Sequence, residues 1–93
     1  MQVTVKSFAT LRNVMESRLT QELNDGSTLS DLLTLLMERY PGLRDEIFEE
    51  GSRELQDYVN ILVNGRNINF INGLDTELKD GDLVVLFPPA GGG

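Results

Sequence analysis

The feature that most constrains the fold is a single amphipathic helix near the middle of the chain. Apolar residues recur at i, i+3, i+4, i+7 and i+11, which places Leu29, Leu32, Leu33, Leu36 and Tyr40 on one narrow stripe. Thr28 is the predicted N-cap with Asp31 at N3, and Pro41-Gly42 ends the helix. Because a helix with one apolar stripe covers one face of one layer, the rest of the chain must supply that layer.

Apolar and alternating segments on both sides of the helix predict that this layer is a β-sheet. The predicted strands span residues 2–9, 18–23, 59–63, 66–68 and 83–87, and residues 11–17 form a hairpin connection. Asn64-Gly65 is a favoured hairpin turn. The third of these strands is apolar except for Asn60, the fifth is apolar throughout, and both patterns are typical of central strands. A short second helix is predicted over residues 43–50, with Gly51 capping its end.

This order of elements predicts an α+β protein of the β-grasp (ubiquitin-like) architecture, with a mixed sheet of about four to five strands covered by one main helix. We expect the first and last strands to lie side by side, parallel, in the middle of the sheet. The domain then spans residues 1–87, and residues 88–93 form a flexible C-terminal glycine tail. The predicted core contains Leu32, Leu33, Leu36, Ile61, Val63, Val84 and Leu86.

Composition excludes several classes of chemistry. The 93-residue chain has no cysteine and no histidine, which argues against disulfides, thiolate catalysis, cysteine-rich metal sites and the commonest general base. Its net charge of −7 repels phosphate backbones, so nucleic acid is not an expected partner. No apolar run approaches the roughly 18 residues of a membrane span, and the N-terminus does not resemble a signal peptide. We therefore expect a cytoplasmic protein with no membrane partner and no metal.

The C-terminal tail is the most informative segment for function. Pro88-Pro89 stiffens the exit from the last strand, and Ala90 leads into Gly91, Gly92 and Gly93, which have no side chains. Four residues after Pro89 reach at most about 13–14 Å, enough to enter a narrow tunnel in another protein. A carboxylate is a poor electrophile, so any reaction there requires prior activation, typically as an acyl-adenylate made from ATP by a partner. The alternative is a frayed end without function.

The sequence resembles a known family at this end of the chain. Leu78-Lys79-Asp80-Gly81-Asp82, residues 83–87 and Pro88-Pro89-Ala90-Gly91-Gly92 are similar to the small-subunit (MoaD-type) sulfur carriers of molybdopterin synthase. Val63-Asn64-Gly65, the helix at residues 28–36 and Tyr40-Pro41-Gly42-Leu43 also fit that pattern. Small archaeal modifier proteins share the fold and the tail. The chain departs from the pattern by a third glycine and by a longer charged stretch over residues 44–57.

The resemblance implies a carrier without a catalytic set of its own. A ubiquitin-activating-enzyme-like adenylyltransferase would use ATP to activate the Gly93 carboxylate, which a sulfur donor would convert to a thiocarboxylate. The large subunit of molybdopterin synthase would then receive the tail. Docking would involve Phe87, Pro89, Ala90, Gly91 and Gly92, and no cofactor would be bound. The alternatives are a protein modifier joined by isopeptide bonds to lysines of target proteins, and a plain interaction domain. The family's usual Gly-Gly ending leaves open whether Gly92 or Gly93 reacts.

Other candidate residues have structural interpretations. Asp80 and Asp82 flank a turn glycine, so we expect turn geometry rather than acid–base chemistry. Glu49-Glu50 is expected to be the solvated end of the second helix. Phe70 and Phe87 are candidates either for partner docking or for core packing.

Overall fold

A computed structural model describes residues 1–88 of the chain, so the predicted tail residues 89–93 lie outside the described part. The strands are β1 (Gln2–Ser7), β2 (Arg18–Glu22), β3 (Asn60–Val63), β4 (Arg66–Asn67) and β5 (Leu83–Phe87). The helices are α1 (Leu29–Arg39) and α2 (Leu43–Ile47), and short 3₁₀ turns span Ala9–Asn13, Ile68–Phe70 and Gly73–Asp75. The order of elements agrees with the predicted β-grasp arrangement.

The sheet has five strands in the order β2-β1-β5-β3-β4. β1 and β5 are parallel neighbours, while the other pairs are antiparallel. The prediction that the first and last strands lie side by side is therefore confirmed, and β5 is the central strand. β3 has a neighbour on each side, but one of them is a two-residue edge strand. Leu62 of β3 and Val85 of β5 are only half-buried, because no helix of the described part of the chain lies on the second face of the sheet.

Helix α1 begins and covers the sheet as its sequence predicts. The N–H of Asp31 donates to Thr28 Oγ1 at 3.3 Å, and the N–H of Thr28 donates to Asp31 Oδ2 at 2.9 Å. This capping box satisfies two backbone donors at the start of the helix. The stripe leucines of α1 are buried, together with every other residue of the predicted core: Leu29, Leu32, Leu33, Leu36, Ile61, Val63, Val84 and Leu86.

Five predicted boundaries differ from the structure: those of the second and third strands by one residue, and those of α2, β1 and β4 as described below. At the ends of α2 and β4, a side chain turns inward where the element stops. α2 ends at Ile47, and Phe48 is extended and 1% exposed. Gly51 therefore does not cap α2, although its φ of 72° requires glycine-like backbone. The first strand ends at Ser7, after which a 3₁₀ turn occupies the start of the predicted hairpin connection. The fourth strand ends before Ile68, which is buried and begins another 3₁₀ turn.

The charged stretch over residues 44–57 folds back against α1. The guanidinium of Arg53 donates to Ser30 Oγ at 3.2 Å and to Thr34 Oγ1 at 3.1 Å, and it lies 5.3 Å from the centre of the Phe48 ring. Arg44 donates to the carbonyl of Ser52 at 2.7 Å. This stretch is therefore a packed part of the domain.

Candidate functional site at the tail exit

The tail leaves the domain from the central strand. Phe87 is the last residue of β5 and is aligned with Asn60 of β3. On the other side, the N–H of Phe8 donates to the carbonyl of Leu86 at 3.2 Å. The strand is thus held from both sides up to its last residue, and Pro88 follows outside the sheet. Of the predicted site residues, Phe87 is described, while Pro89, Ala90, Gly91, Gly92 and Gly93 lie outside the described residues.

Two aromatic rings mark this exit. The rings of Phe8 and Phe87 are stacked, with centroids 5.0 Å apart and planes 15° from parallel. The guanidinium carbon of Arg12 lies 5.6 Å from the centre of the Phe8 ring, within the range of a cation–π contact. Phe87 alternates with the buried Leu86, so it projects from the face of the sheet that α1 does not cover. Both rings are half-buried and present an apolar surface beside the first residue of the tail.

The uncovered side of the sheet, here called the open face, continues from these rings in register. Val85 of β5 is aligned with Lys6 of β1 and with Leu62 of β3, so these three residues form a row across the sheet. Arg18 of β2 extends the row beyond Lys6. The row is apolar at the centre and basic on the β1–β2 side. It lies two residues before the strand end, about 7 Å from Phe87 at the usual rise of a strand.

The turn before β5 fixes the position of that strand. Asp82 Oδ2 accepts from the N–H of Lys79 at 2.8 Å, and Asp82 Oδ1 accepts from the Asn64 side-chain amide at 2.8 Å. Asn64 Oδ1 in turn accepts from the N–H of Leu83 at 2.9 Å. Asp80 Oδ1 accepts from the N–H of Gln2 at 2.8 Å. The two aspartates therefore tie β5 to β1 and to the β3–β4 turn, as expected for turn residues.

The remaining candidates lie away from this arrangement. Phe70 is 85% exposed, so the alternative that it packs in the core is wrong. Glu49 and Glu50 are exposed, but they lie beyond α2, which ends earlier than expected.

Among residues 1–88, no group of three or more acidic, cysteine or histidine side chains is placed to hold a metal ion. In the same part of the chain, no helix has the length and apolar character needed to cross a membrane.

Sequence reasoning missed four residues of the open face: Lys6, Phe8, Arg12 and Arg18. The available signal was the alternation of β1, in which Val3 and Val5 face the core and residues 4 and 6 face the other way, a pattern that continues to Phe8 just after the strand. A phenylalanine on the polar side of an alternating strand marks an exposed apolar patch. Its stacking partner lies 79 positions later in the numbering, so that contact depends on the parallel pairing of β1 and β5.

The chain is similar in sequence and in structure to several known proteins. A model of the ThiS family matches residues 5–93. Small archaeal modifier protein 3 of Haloferax volcanii is 37% identical over 94 residues, covering 100% of both chains. The sulfur carrier protein CysO of Mycobacterium tuberculosis is 35% identical over 69 residues, covering 73% of this chain and 74% of its own. The solution structure of small archaeal modifier protein 1 from Methanosarcina acetivorans has 39% identity and a TM-score of 0.85, covering 99% of this chain and 96% of that one.

Proposed function

The chain belongs to the ThiS family, which here includes sulfur carriers and ubiquitin-like modifiers, and on that premise we propose that it carries sulfur as a thiocarboxylate on its terminal glycine. Its relatives are small carriers and modifiers rather than catalytic enzymes, and this chain too is a carrier rather than an enzyme. The observation that carries the proposal is the geometry of the exit: a rigid central strand ends beside a half-exposed aromatic pair and is followed by a glycine tail.

The chemistry requires a partner that uses ATP. A carboxylate oxygen of Gly93 attacks the α-phosphorus of ATP, and pyrophosphate leaves. Hydrosulfide then attacks the carbonyl carbon of the acyl-adenylate, and AMP leaves with the electron pair of the broken carbon–oxygen bond. The products are a thiocarboxylate and AMP, so no oxidant or reductant is needed. The partner for the first step is a ubiquitin-activating-enzyme-like adenylyltransferase.

The domain's own role is to present the tail. The open face offers an apolar surface at Phe8, Phe87 and Val85 on which a partner can rest while the tail extends beyond it. Because β5 is bonded on both sides to its end, the tail starts from a fixed point relative to that surface. Fixing the starting point reduces the entropy lost when the tail enters a tunnel. Pro89, Ala90, Gly91 and Gly92 are assigned to the tunnel, where the glycines add no side-chain width.

The recipient we propose is the large subunit of molybdopterin synthase. This assignment rests on the resemblance of residues 78–92 to the MoaD-type carriers. Sulfur would pass from the thiocarboxylate to a pterin precursor bound in that subunit, and the carboxylate would be regenerated for another cycle. A cytoplasmic location fits this exchange between proteins.

A second function is favoured by one specific observation. The Haloferax relative named as a modifier aligns over 100% of both chains. In that case the acyl-adenylate of Gly93 would be attacked, directly or after transfer, by a lysine amine of a target protein. The isopeptide bond forms as the carbon–oxygen bond to AMP breaks or, after transfer of the acyl group, as the bond to the nucleophile that accepted it breaks. Both functions use the same activated terminus and differ only in the nucleophile.

The test of the shared step is intact mass spectrometry of the purified chain. Incubation with ATP, the adenylyltransferase of the source organism and hydrosulfide should add the mass difference between sulfur and oxygen, located at the C-terminus. Omission of ATP is the matched control. Deletion of Gly92 and Gly93 should abolish the change without unfolding the domain, because these residues follow the last strand. An unchanged mass for the wild-type chain under these conditions would refute the proposal.

The two functions are separated by what happens next. The thiocarboxylated chain should convert the pterin precursor when mixed with the large synthase subunit. If instead cells contain the chain bound through isopeptide bonds to lysines, and cofactor levels are unaffected by its loss, the modifier function replaces sulfur carriage.

A further inference from the structure

Two positive side chains face each other on the open face, and among residues 1–88 neither forms an ion pair. Lys6 of β1 is aligned with Arg18 of β2 in an antiparallel pair. Within residues 1–88, neither side chain makes a hydrogen bond, and the ion pair in this part of the chain joins the Met1 amine to Asp25 instead. We call Lys6 and Arg18 the basic pair.

The register makes this arrangement costly for the fold. Met1 and Leu23 exchange two hydrogen bonds of 2.8 Å, so odd-numbered residues of β1 occupy hydrogen-bonded positions. Lys6 and Arg18 therefore occupy a non-hydrogen-bonded position, where opposing side chains lie closest. Like charges placed directly opposite are destabilising. The preceding pair of the same type consists of Thr4 and Thr20, which are neutral. The basic pair is thus not explained by the stability of the sheet.

The basic pair differs from the rest of the molecule in its charge and its position. The chain has a net charge of −7, yet the row that carries the basic pair continues into Val85 and Leu62 and lies beside the aromatic exit. Of the other cations, Arg39, Arg44 and Arg53 donate hydrogen bonds, whereas Arg66 and Lys79 lie at the end of the sheet opposite the tail exit. The basic pair is free to contact something outside the domain, next to the place where the tail begins.

We propose that the basic pair binds carboxylates on the adenylyltransferase, beside the entrance through which the tail reaches ATP; this inference rests on the proposed function. The occupant is a protein surface bearing aspartate or glutamate, because a net charge of −7 disfavours a polyphosphate backbone over the whole molecule. Local attraction against an overall repulsive body favours one orientation of encounter, in which the tail faces the entrance.

The test uses the full chain and the adenylyltransferase that converts it, with ATP–pyrophosphate exchange as the readout. The variant Lys6→Gln/Arg18→Gln should raise the KM for the chain on the order of tenfold at low ionic strength and leave kcat unchanged. The difference should shrink as salt is added, because salt screens exposed charges. The charge-preserving variant Lys6→Arg/Arg18→Lys should keep the wild-type KM, which separates the role of charge from the role of packing.

The matched control is Arg66→Gln/Lys79→Gln, which has the same net charge as the first variant. Arg66 is exposed on edge strand β4, and Lys79 lies in the turn that precedes β5, at the end opposite the tail exit. Its KM should stay near that of the wild type. Equal KM values for the two double glutamine variants would overturn the proposal, because the effect would then come from net charge alone or be absent. If the wild type itself is not adenylated, the proposed function fails as well.

Discussion

The two faces of one sheet differ in what they do. Toward α1, alternate residues of the strands are buried and apolar: Val3, Val5, Leu19, Ile61, Val63, Val84 and Leu86. On the open face, the intervening residues are polar, charged or half-buried, and they include Lys6, Val85 and Phe87. The same strands supply both sets, because successive side chains of a strand point to opposite faces. The covered face determines the fold, and the open face is left available for a partner.

Most of the stabilising burial of side chains occurs on the covered face. Full burial of a leucine contributes about 1.5–3 kcal/mol relative to exposure, and α1 buries Leu29, Leu32, Leu33 and Leu36. The open face buries less of each side chain and also contains a repulsive pair. Changes on the covered face should therefore alter stability strongly, whereas changes on the open face should mainly alter partner binding. The predictions below test this division.

The largest effect is expected when a leucine is truncated on the covered face. Leu36→Ala should lower the free energy of unfolding by about 2–5 kcal/mol, from lost burial and the remaining cavity. Leu62→Ala is the matched control on the open face, and its expected loss is about 1–2 kcal/mol because part of that side chain is already in water. Urea denaturation measures both. Equal losses would show that the open face is as important for stability as the covered one.

The aromatic pair should show the opposite balance of effects. Phe8→Ala removes one ring of the stack and should lower stability by about 1–2 kcal/mol, since both rings are half-buried. The main effect of the variant should be on adenylation, seen as a raised KM for the chain. Thermal unfolding and pyrophosphate exchange on the same preparation provide the comparison. The matched control is Phe70→Ala, which removes an exposed ring on a 3₁₀ turn and should change neither quantity. A variant Phe8→Ala with wild-type KM would remove the aromatic pair from the docking surface.

A smaller effect is expected in the turn before β5. Asp82→Ala removes acceptors for the Lys79 N–H and the Asn64 amide, and it should destabilise the domain by about 1 kcal/mol, the lower end of the usual cost, because this site is partly exposed. Asp57→Ala removes an exposed carboxylate and serves as the control, with little expected change. Denaturation midpoints distinguish them. No difference between the two variants would mean that water replaces the lost acceptors fully.

The sequence was sufficient to predict the covered face. The leucine spacing of α1, the cap at Thr28 and the apolar strands all refer to local patterns, and these determine which residues are buried. The open face could not be predicted in the same way, because its contacts join distant segments. Phe8 meets Phe87, and Lys6 meets Arg18, only once β1 has paired in register with β5 and β2. The tail chemistry was inferred from Gly91 to Gly93 and from resemblance, and those residues lie outside the described structure.

Two further features depend on tertiary packing. Residues 59–63, apolar except for Asn60, predict a central strand, and β3 does lie between β5 and β4. Its Leu62 is nevertheless half-buried, because α1 covers only one face of the sheet. The second helix was expected to reach Glu50, but Phe48 leaves the helix to enter the core and pairs with Leu55. In both places, tertiary packing rather than local propensity decides where the side chain goes.

The smallest effect on stability is expected when one charge of the basic pair on the open face is removed. Lys6→Gln removes one half of the like-charge pair and should raise the free energy of unfolding by about 0.2–1 kcal/mol, because the cross-strand repulsion is lost. Lys79→Gln removes the same charge from an exposed turn and should have a smaller effect. The gain from Lys6→Gln should diminish at high ionic strength, since the repulsion between exposed charges is screened. If Lys6→Gln instead lowers stability at every salt concentration, the alkyl stem of Lys6 packed against Val85 outweighs its charge. Lys6 would then support the fold, and the open face would contribute more to stability than its charges suggest.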